Sequence, residues 1–517
     1  MKYKSREDYA IINSSTSLIS KIIILLSAFI VRTLFIKLLA SEYLGISGLF
    51  TNILNVLSLA ELGIGTAITY SMYKPIAVND IEKVRALYKL YSKCYKIIGI
   101  IVLILGSALI PFLKYIIKDY ETYEINLMLI YLIYLAKNVL SYFIFAYKNS
   151  LLIAYQQTYI YNIINSIIYI VRVIVETIVL VLYKNFYLYL FLEIFFDITT
   201  NVFVALYVDK KYSFITKSNN DKLSNEDKSK IYKNIYALSI YKIGSIAVNS
   251  TDNIIISNFC GLIILGFYSN YNLIITSITS IVSMVFNALI PSIGNLNSLD
   301  LSIEHKKDVF DKINFLSFFM YSFCSICLFS LLNPFISIWA GEEYILSQNI
   351  VLIIVLNFLT YGLLTPVLLF REGCGLYYFG RYRPLLSAVL NIIFSIILGK
   401  YFGLFGILLA TLISRLFAII WYEPLMVYKH VFNKKPYSFY VKYCIEVFFT
   451  LIICYAFYLV INKFSYTTYF QLIILFVVVI LLSIVLLSAV SLKNRNFKYY
   501  ANLVKNKIIR RLKNEKI

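Results

Sequence analysis

Several basic residues lie inside long apolar segments, where a charged side chain is costly, and four of them are candidates for binding: Lys21, Arg32, Arg172 and Lys242. Lys21 and Arg32 are eleven residues apart, about three helical turns, so they share one face of a helix. If such faces line one cavity, its wall is cationic, which suits a phosphate or pyrophosphate group. We therefore expect these four side chains to contact an anionic substrate.

Carboxylates lie in the same kind of segment, and three of them are candidates for ion coupling or pairing: Glu61, Asp197 and Asp252. They could bind Na⁺ or H⁺, or they could neutralise the buried cations. Glu176 follows Arg172 by four residues, the spacing at which two side chains meet on a helix. Arg32 could likewise pair with Glu61 on the next helix. Both alternatives, internal pairing and ligand contact, remain open for these cations.

No catalytic or metal-binding pattern accompanies these charges. The sequence lacks the G-x-x-x-x-G-K-[ST] motif of nucleotide hydrolases, and its two histidines, His305 and His430, fall in separate polar stretches. Cys324 and Cys327 have redox spacing but lie in an apolar run, where packing between helices is the better interpretation. We therefore expect no enzyme activity, no metal site and no cofactor beyond a coupling Na⁺ or H⁺.

The elements that position these charges are membrane-spanning helices. Of the 517 residues, 60% are hydrophobic and 15% charged, and the mean hydropathy is +0.77. The apolar runs are continuous and spread over the whole length, which predicts an all-α polytopic membrane protein embedded in a lipid bilayer. About fourteen spans are expected: 14–38, 46–73, 95–117, 125–147, 159–183, 186–208, 235–258, 262–291, 312–338, 348–370, 382–401, 403–427, 441–461 and 468–491.

The net charge of +21 gives the orientation of these spans. About three quarters of the 48 lysines and arginines lie in alternate loops and the two terminal segments, while the other loops are short and neutral or acidic. The positive-inside rule therefore places both termini in the cytoplasm. Because the positive charge follows this alternation, binding to nucleic acid is not expected.

The chain also shows a faint internal repeat. Leu44-Gly45 matches Leu265-Gly266 at a fixed offset, and Lys21 matches Lys242. This predicts two six-helix lobes in parallel repeat. The expected domains are residues 1–208, a basic linker 209–234, a second lobe 235–440, two extra spans in 441–491, and a basic cytoplasmic segment 492–517.

Two stretches carry a resemblance to a known family. They are EYLGISGLFTNILNVLSLAELGIGTAITYSMYKP at 42–75 and REGCGLYYFGRYRPL, followed by FGLFGILLATLISRLFAIIWYEPL, at 371–425. They resemble polysaccharide transporters, the Wzx-type flippases of lipid-linked oligosaccharides. These belong to the multidrug/oligosaccharidyl-lipid/polysaccharide (MOP) exporter superfamily. Arg371, Arg381 and Arg383, at the cytoplasmic ends of two later spans, are candidate gate residues.

The resemblance implies alternating access of a central cavity in the bacterial cell membrane. The implied substrate is an undecaprenyl-diphosphate-linked oligosaccharide, flipped to the outer leaflet for capsule or exopolysaccharide synthesis. Polymerases and glycosyltransferases of the same pathway are the implied partners. A cation-coupled multidrug extruder of the same superfamily is the main alternative, and it would favour an acidic cavity. A membrane polymerase or ligase of polysaccharide assembly is a weaker one, because no large outer loop is present.

Overall fold

The structure, a computed structural model, describes residues 6–61, 64–215, 223–298, 302–376, 380, 382–461, 463 and 468–514. Throughout these ranges the regular structure is helical, with no β-strand. The first nine α-helices are α1 Arg6–Leu38, α2 Ser41–Leu57, α3 Ile64–Ala77, α4 Ile81–Leu109, α5 Leu113–Ile116, α6 Leu127–Phe143, α7 Asn149–Ala154, α8 Thr158–Tyr183 and α9 Phe186–Lys211. The remaining ten are α10 Asn225–Asn287, α11 Ile290–Ser298, α12 Ile303–Trp339, α13 Gln348–Leu363, α14 Thr365–Gly373, α15 Arg383–Arg415, α16 Tyr422–Val431, α17 Tyr437–Ile461, α18 Tyr469–Ser491 and α19 Arg495–Asn514.

Two of these helices are too long for one crossing and are divided by a glycine. The 63 residues of α10 would extend about 95 Å as a continuous helix, three times the hydrocarbon thickness of a bilayer. Gly261 interrupts it with φ 85° and ψ 171°, and Gly403 interrupts α15 with φ 56°. A side chain with a Cβ rarely adopts such a φ, so glycine is required at both turns.

The number of spans agrees with the sequence prediction. In the described part of the chain, ten helices are long and apolar enough to cross a membrane, or eleven if α6 and the bent segment after it form one span. Two of these, Thr251–Leu296 and Arg383–Val431, contain the glycine turns and divide into two spans each. This raises eleven to thirteen, and α2 with α3 brings the total to fourteen. The predicted all-α polytopic class is confirmed.

The second predicted span, 46–73, is not one helix. α2 ends at Leu57, a 3₁₀ turn covers Ser58–Glu61, and α3 begins at Ile64. The expectation of a continuous helix was wrong because the apolar pattern does not report such a break. Glu61 therefore lies at the end of a 3₁₀ turn, near backbone groups that an uninterrupted helix would have paired.

Polar caps set where several spans begin. The side chains of Asp80, Asn126, Asn185, Ser302 and Thr468 each accept a hydrogen bond from the backbone N–H three residues on, at the start of α4, α6, α9, α12 and α18. These residue types satisfy N–H groups that the helix itself cannot pair. Two of the capped helices, α6 and α9, carry buried charges described below.

Contacts divide the chain into two compact units. The first comprises residues 1–269 with 384–392, and the second comprises 270–383 with 393–517. In the first, α8 packs between α1 and α9, and α4 packs against α3 and α6. The lobe limits predicted from the internal repeat follow sequence similarity rather than contacts, and they remain a prediction.

In the second unit α12 is the central helix. It packs against α13 and against α17 and α18, the two spans expected in addition to the lobes. α18 buries a single stripe at intervals of three or four residues: Leu472, Leu475, Val479, Ser483, Leu487 and Ser491. The opposite face, including Ile473 and Val477, is exposed and apolar, as expected of a helix that faces lipid.

The repeat-related glycines meet inside the first unit. A Cβ atom added to Gly45 would fall well inside van der Waals contact of the Leu262 carbonyl oxygen. A Cβ added to Gly266 would lie 2.5 Å from the Ser41 carbonyl oxygen. The start of α2 and the second half of α10 therefore pack backbone against backbone, an approach that only residues without a side chain permit.

Candidate functional site: buried charges of the helical bundle

Five charged side chains of α6, α8 and α9 form what we term the N-terminal charge network: Lys137, Arg172, Glu176, Glu193 and Asp197. The Arg172 guanidinium donates to three carboxylates. Its Nε lies 2.6 Å from Glu176, another nitrogen lies 3.1 Å from Asp197, and a third contacts Glu193. Lys137 Nζ lies 2.8 Å from Glu193 and 3.4 Å from Asp197. Two cations thus face three carboxylates, a net charge of −1.

Burial differs across this network. The Glu176 side chain is 2% exposed and that of Arg172 is 11% exposed, whereas that of Asp197 is 44% exposed. A buried charge is stable only when it is paired, so the buried members hold each other in place. Asp197 forms the accessible edge, and with one carboxylate in excess the network can accept a proton or a small cation there.

The sequence left two roles open for Arg172, and the structure contains the pairing. Its partner Glu176 was foreseen from the i, i+4 spacing, but Glu193 was missed. Glu193 lies in the apolar run of α9, four residues after Tyr189, whose hydroxyl donates to it at 3.2 Å, and four before Asp197. That spacing is the signal that could have revealed it.

The contacts of Glu61 are with tyrosines rather than with Arg32. Its carboxylate accepts hydrogen bonds from Tyr95 at 2.5 Å and from Tyr142 at 3.0 Å. The Tyr91 hydroxyl in turn donates to that of Tyr95 at 3.1 Å. Two phenol donors are a strong polar environment for a carboxylate inside an apolar bundle, and they position it at the break between α2 and α3.

The other predicted cation contacts are spread along α1 and α10. Arg32 is half-buried on α1 and donates to the Ser269 hydroxyl, near the repeat-related glycines. Lys21 is half-buried on the same helix, about 16 Å further along the axis. The side chain of Lys242 lies outside the described residues. Asp252 is half-buried on α10, beside Thr251, whose hydroxyl lies 3.5 Å from the Asn391 side-chain oxygen.

Two of the candidate gate arginines have well-defined partners in the second unit. Arg371, at the end of α14, forms a buried ion pair with Glu423 of α16 at 2.7 Å. Arg383, the first residue of α15, donates to the Ala418 carbonyl oxygen at 2.8 Å, and its guanidinium carbon lies 3.2 Å from the ring centre of Tyr422. Ala418 belongs to a π-helical turn, Leu416–Ile420, of the kind often found at functional sites. Arg381 lies outside the described residues.

Comparisons of sequence and structure identify the fold. No family model and no curated protein sequence matches the chain. Among solved structures, the lipid II flippase MurJ in an inward closed conformation matches with a TM-score of 0.62 and 15% identity, over 96% of this chain and 100% of that one. A mutant of the Vibrio cholerae MATE transporter VcmN matches with a TM-score of 0.57 and 13% identity, over 83% of this chain and 98% of that one. An inward-facing multidrug resistance MATE family transporter of the MOP superfamily matches with a TM-score of 0.53 and 11% identity, over 88% of this chain and 99% of that one.

The chain has the fold of MOP-superfamily transporters. This confirms the fold that the two resembling stretches implied, and with it a multi-pass membrane protein. At identities of 11–15% the matches establish architecture and not the transported molecule.

Proposed function

We propose that this chain is a flippase that moves undecaprenyl-diphosphate-linked oligosaccharide units from the inner to the outer leaflet of the bacterial cell membrane. Alternating access would drive the transfer, both termini would lie in the cytoplasm, and the product would enter capsule or exopolysaccharide synthesis. Polymerases and glycosyltransferases of that pathway would be its partners. The diphosphate would be held by cationic side chains while the lipid tail remains in the bilayer.

The observation that carries this proposal is the extent of the structural match. The lipid II flippase corresponds to this chain over 96% of its length, whereas the two MATE structures cover 83% and 88%. Residues 437–517, which hold α17, α18 and α19, amount to 81 of 517 residues, or 16%. A match that leaves only 4% of the chain uncovered must include most of the residues 437–517. The architecture therefore corresponds more fully to that of the lipid II flippase, which supports the proposal.

The contacts of each cation rank the candidates for the diphosphate. Arg172 is already surrounded by three carboxylates, which leaves little attraction for a further anion. Arg32 and Lys21 lie eleven residues apart on one face of α1, and Lys242 corresponds to Lys21 in the internal repeat. Arg32, Lys21 and, by the repeat, Lys242 are therefore the proposed diphosphate contacts. Asp197, Asp252 and Glu61 are the proposed sites of Na⁺ or H⁺ coupling.

Polymer export in a host that lacks its own flippase tests this function. We expect the wild-type chain to restore export, and Arg32→Gln, Lys21→Gln or an Arg32→Ala, Lys242→Ala double variant to abolish it while still inserting. Lys37→Gln is the matched control, because Lys37 is an exposed lysine on the same helix. Normal export from the double variant would contradict the assignment of these cations.

A second variant separates charge from positioning. Ser269→Ala removes the hydroxyl that Arg32 contacts but leaves the guanidinium in place. If Arg32 binds the diphosphate, Ser269→Ala should retain export while Arg32→Gln loses it. Equal loss in both variants would mean that Arg32 holds α1 against α10 instead of binding substrate.

Multidrug extrusion is the second candidate, and the N-terminal charge network favours it. An excess carboxylate with an accessible edge at Asp197 is suited to a cationic drug or to a coupling cation. Growth of a drug-sensitised host in graded concentrations of cationic dyes distinguishes the two functions. Resistance that Asp197→Asn abolishes, without restored polymer export, would support the extruder over the flippase.

A further inference from the structure

The helix that follows the last span is strongly basic. Residues 492–517 contain nine basic residues and one acidic residue, Glu515, a net charge of +8. The basic residues are Lys493, Arg495, Lys498, Lys505, Lys507, Arg510, Arg511, Lys513 and Lys516. The span α18 ends at Ser491, and α19 begins at Arg495 after a turn in which Asn494 Oδ1 accepts from the Asn496 N–H at 2.9 Å. Because only three residues separate α19 from a span, it starts at the membrane surface.

The first turns of α19 are fixed to the protein. Asn496 Nδ2 donates to the Asp311 carbonyl oxygen at 3.1 Å, and the Tyr500 hydroxyl donates to the Lys312 carbonyl oxygen at 3.2 Å. The rings of Phe497 and Tyr500 lie 6.2 and 6.3 Å from the ring of Phe315 on α12. These contacts involve positions 496, 497 and 500, and Lys312 Nζ also lies 4.3 Å from the ring centre of Tyr499, so the first turns of α19 are held against α12.

The exposed surface of these turns combines positive charge with apolar and aromatic groups. Lys498 and Lys505 are exposed, and Tyr499 and Leu503 are 42% and 43% exposed. Arg495 is 88% exposed and lies 3.5 Å from Asp308, a contact too open to neutralise it. A helix at the bilayer surface that presents lysines beside Tyr and Leu fits the boundary between headgroups and acyl chains.

We infer that α19 is a binding surface for the headgroups of anionic phospholipids. Its docked side fixes the helix to the start of α12, and its exposed side lies on the bilayer next to the end of α18. The partner is lipid because the span α18 ends only three residues before α19 begins, and because juxtamembrane clusters of positive charge attract anionic leaflets. The inference does not depend on which molecule the chain transports.

The test uses the full chain in nanodiscs of neutral phosphatidylcholine, or of phosphatidylcholine with 30% phosphatidylglycerol. An environment-sensitive fluorophore is attached at Asn502→Cys, an exposed position on α19, in a background without native cysteines. We expect a blue-shifted emission with phosphatidylglycerol that 0.5 M NaCl reverses, and no shift in neutral nanodiscs. Salt reverses it because it screens charges outside the protein.

Charge variants measure how much the lysines of α19 contribute to lipid binding. Each lysine near an anionic surface contributes about a fivefold preference, so Lys498→Gln with Lys505→Gln should lower the ratio of bound to free helix about 25-fold. Lys118→Gln with Lys184→Gln is the matched control, since both lysines are exposed and lie far from α19 in the sequence. Phe497→Ala weakens docking to α12 and should leave the lipid-dependent shift in place.

Three results would overturn the inference. One is an emission that does not depend on phosphatidylglycerol. Another is a shift that the paired glutamine variant leaves unchanged. The third is a shift in neutral nanodiscs that grows with protein concentration or with added cytosolic protein, which would assign the surface to a protein partner.

Discussion

Replacing Arg172 by methionine is the sharpest test of the N-terminal charge network. The wild-type network holds two cations and three carboxylates, and the variant would hold one cation and three carboxylates, changing its net charge from −1 to −2. Methionine has a similar length and no charge, so the packing changes little. The perturbation is therefore mainly electrostatic.

The expected loss of stability in Arg172→Met follows from the burial of its partners. Glu176 and Glu193 have side chains that are 2% and 13% exposed, so water cannot replace the lost guanidinium. One ion pair at 4 Å contributes about 4 kcal/mol at an effective dielectric constant of 20. Removing one partner of a buried pair is destabilising by about 3–5 kcal/mol. We expect Arg172→Met to lower the free energy of unfolding by an amount in this range.

The assay is reversible unfolding in mixed micelles, followed by far-ultraviolet circular dichroism. Adding Glu193→Gln to Arg172→Met restores a net charge of −1, so the double variant should recover at least half of the lost stability. Arg495→Met is the control, because an 88% exposed arginine at 3.5 Å from its partner should change stability by less than about 1 kcal/mol. Wild-type stability in Arg172→Met, or no recovery in the double variant, would refute the reasoning.

Two further predictions use the same unfolding assay. Gly45→Val should destabilise the protein by about 3 kcal/mol or more, because the valine side chain would overlap the Leu262 backbone. Gly48→Val is the control and should change stability little, because the space around Gly48 is open. Equal effects of the two substitutions would show that helix propensity is being measured instead. Arg371→Met alone should lower stability by about 3–5 kcal/mol, and adding Glu423→Leu should recover most of it, because the pair is buried and only an unpaired charge is costly there. Additive losses at Arg371 and Glu423 would show that the two side chains are not coupled.

The helices were predictable because hydropathy and charge alternation both report membrane crossings. Gly261 falls in the predicted gap between the spans 235–258 and 262–291, and Gly403 is the first residue of the predicted span 403–427. The break at Leu364 lies two residues before Pro366, which cannot supply the N–H of a continuous helix. The break after Leu57 was missed, since Ser58–Glu61 contains no proline or glycine that would mark it. A local pattern cannot show that neighbouring helices satisfy an interrupted backbone.

The site was only partly predictable for a related reason. Arg172 and Glu176 share one helix, so their spacing shows the pair directly. Lys137 and Glu193 lie 56 residues apart, and their contact depends on how α6 packs against α9. Such a pair carries no signal in a single sequence. The same holds for Glu423, whose importance becomes visible only when Arg371 is placed beside it.

The two glycine turns also bear on how the protein enters the membrane during synthesis. At Gly261 and at Gly403 a single residue interrupts the helix, without a hydrophilic linker of the kind that an insertion machinery exports segment by segment. We therefore expect each flanking pair of helices to be inserted together, as a helical hairpin. A ribosome stalled after the first member of such a pair would leave a segment with no stable position across the bilayer.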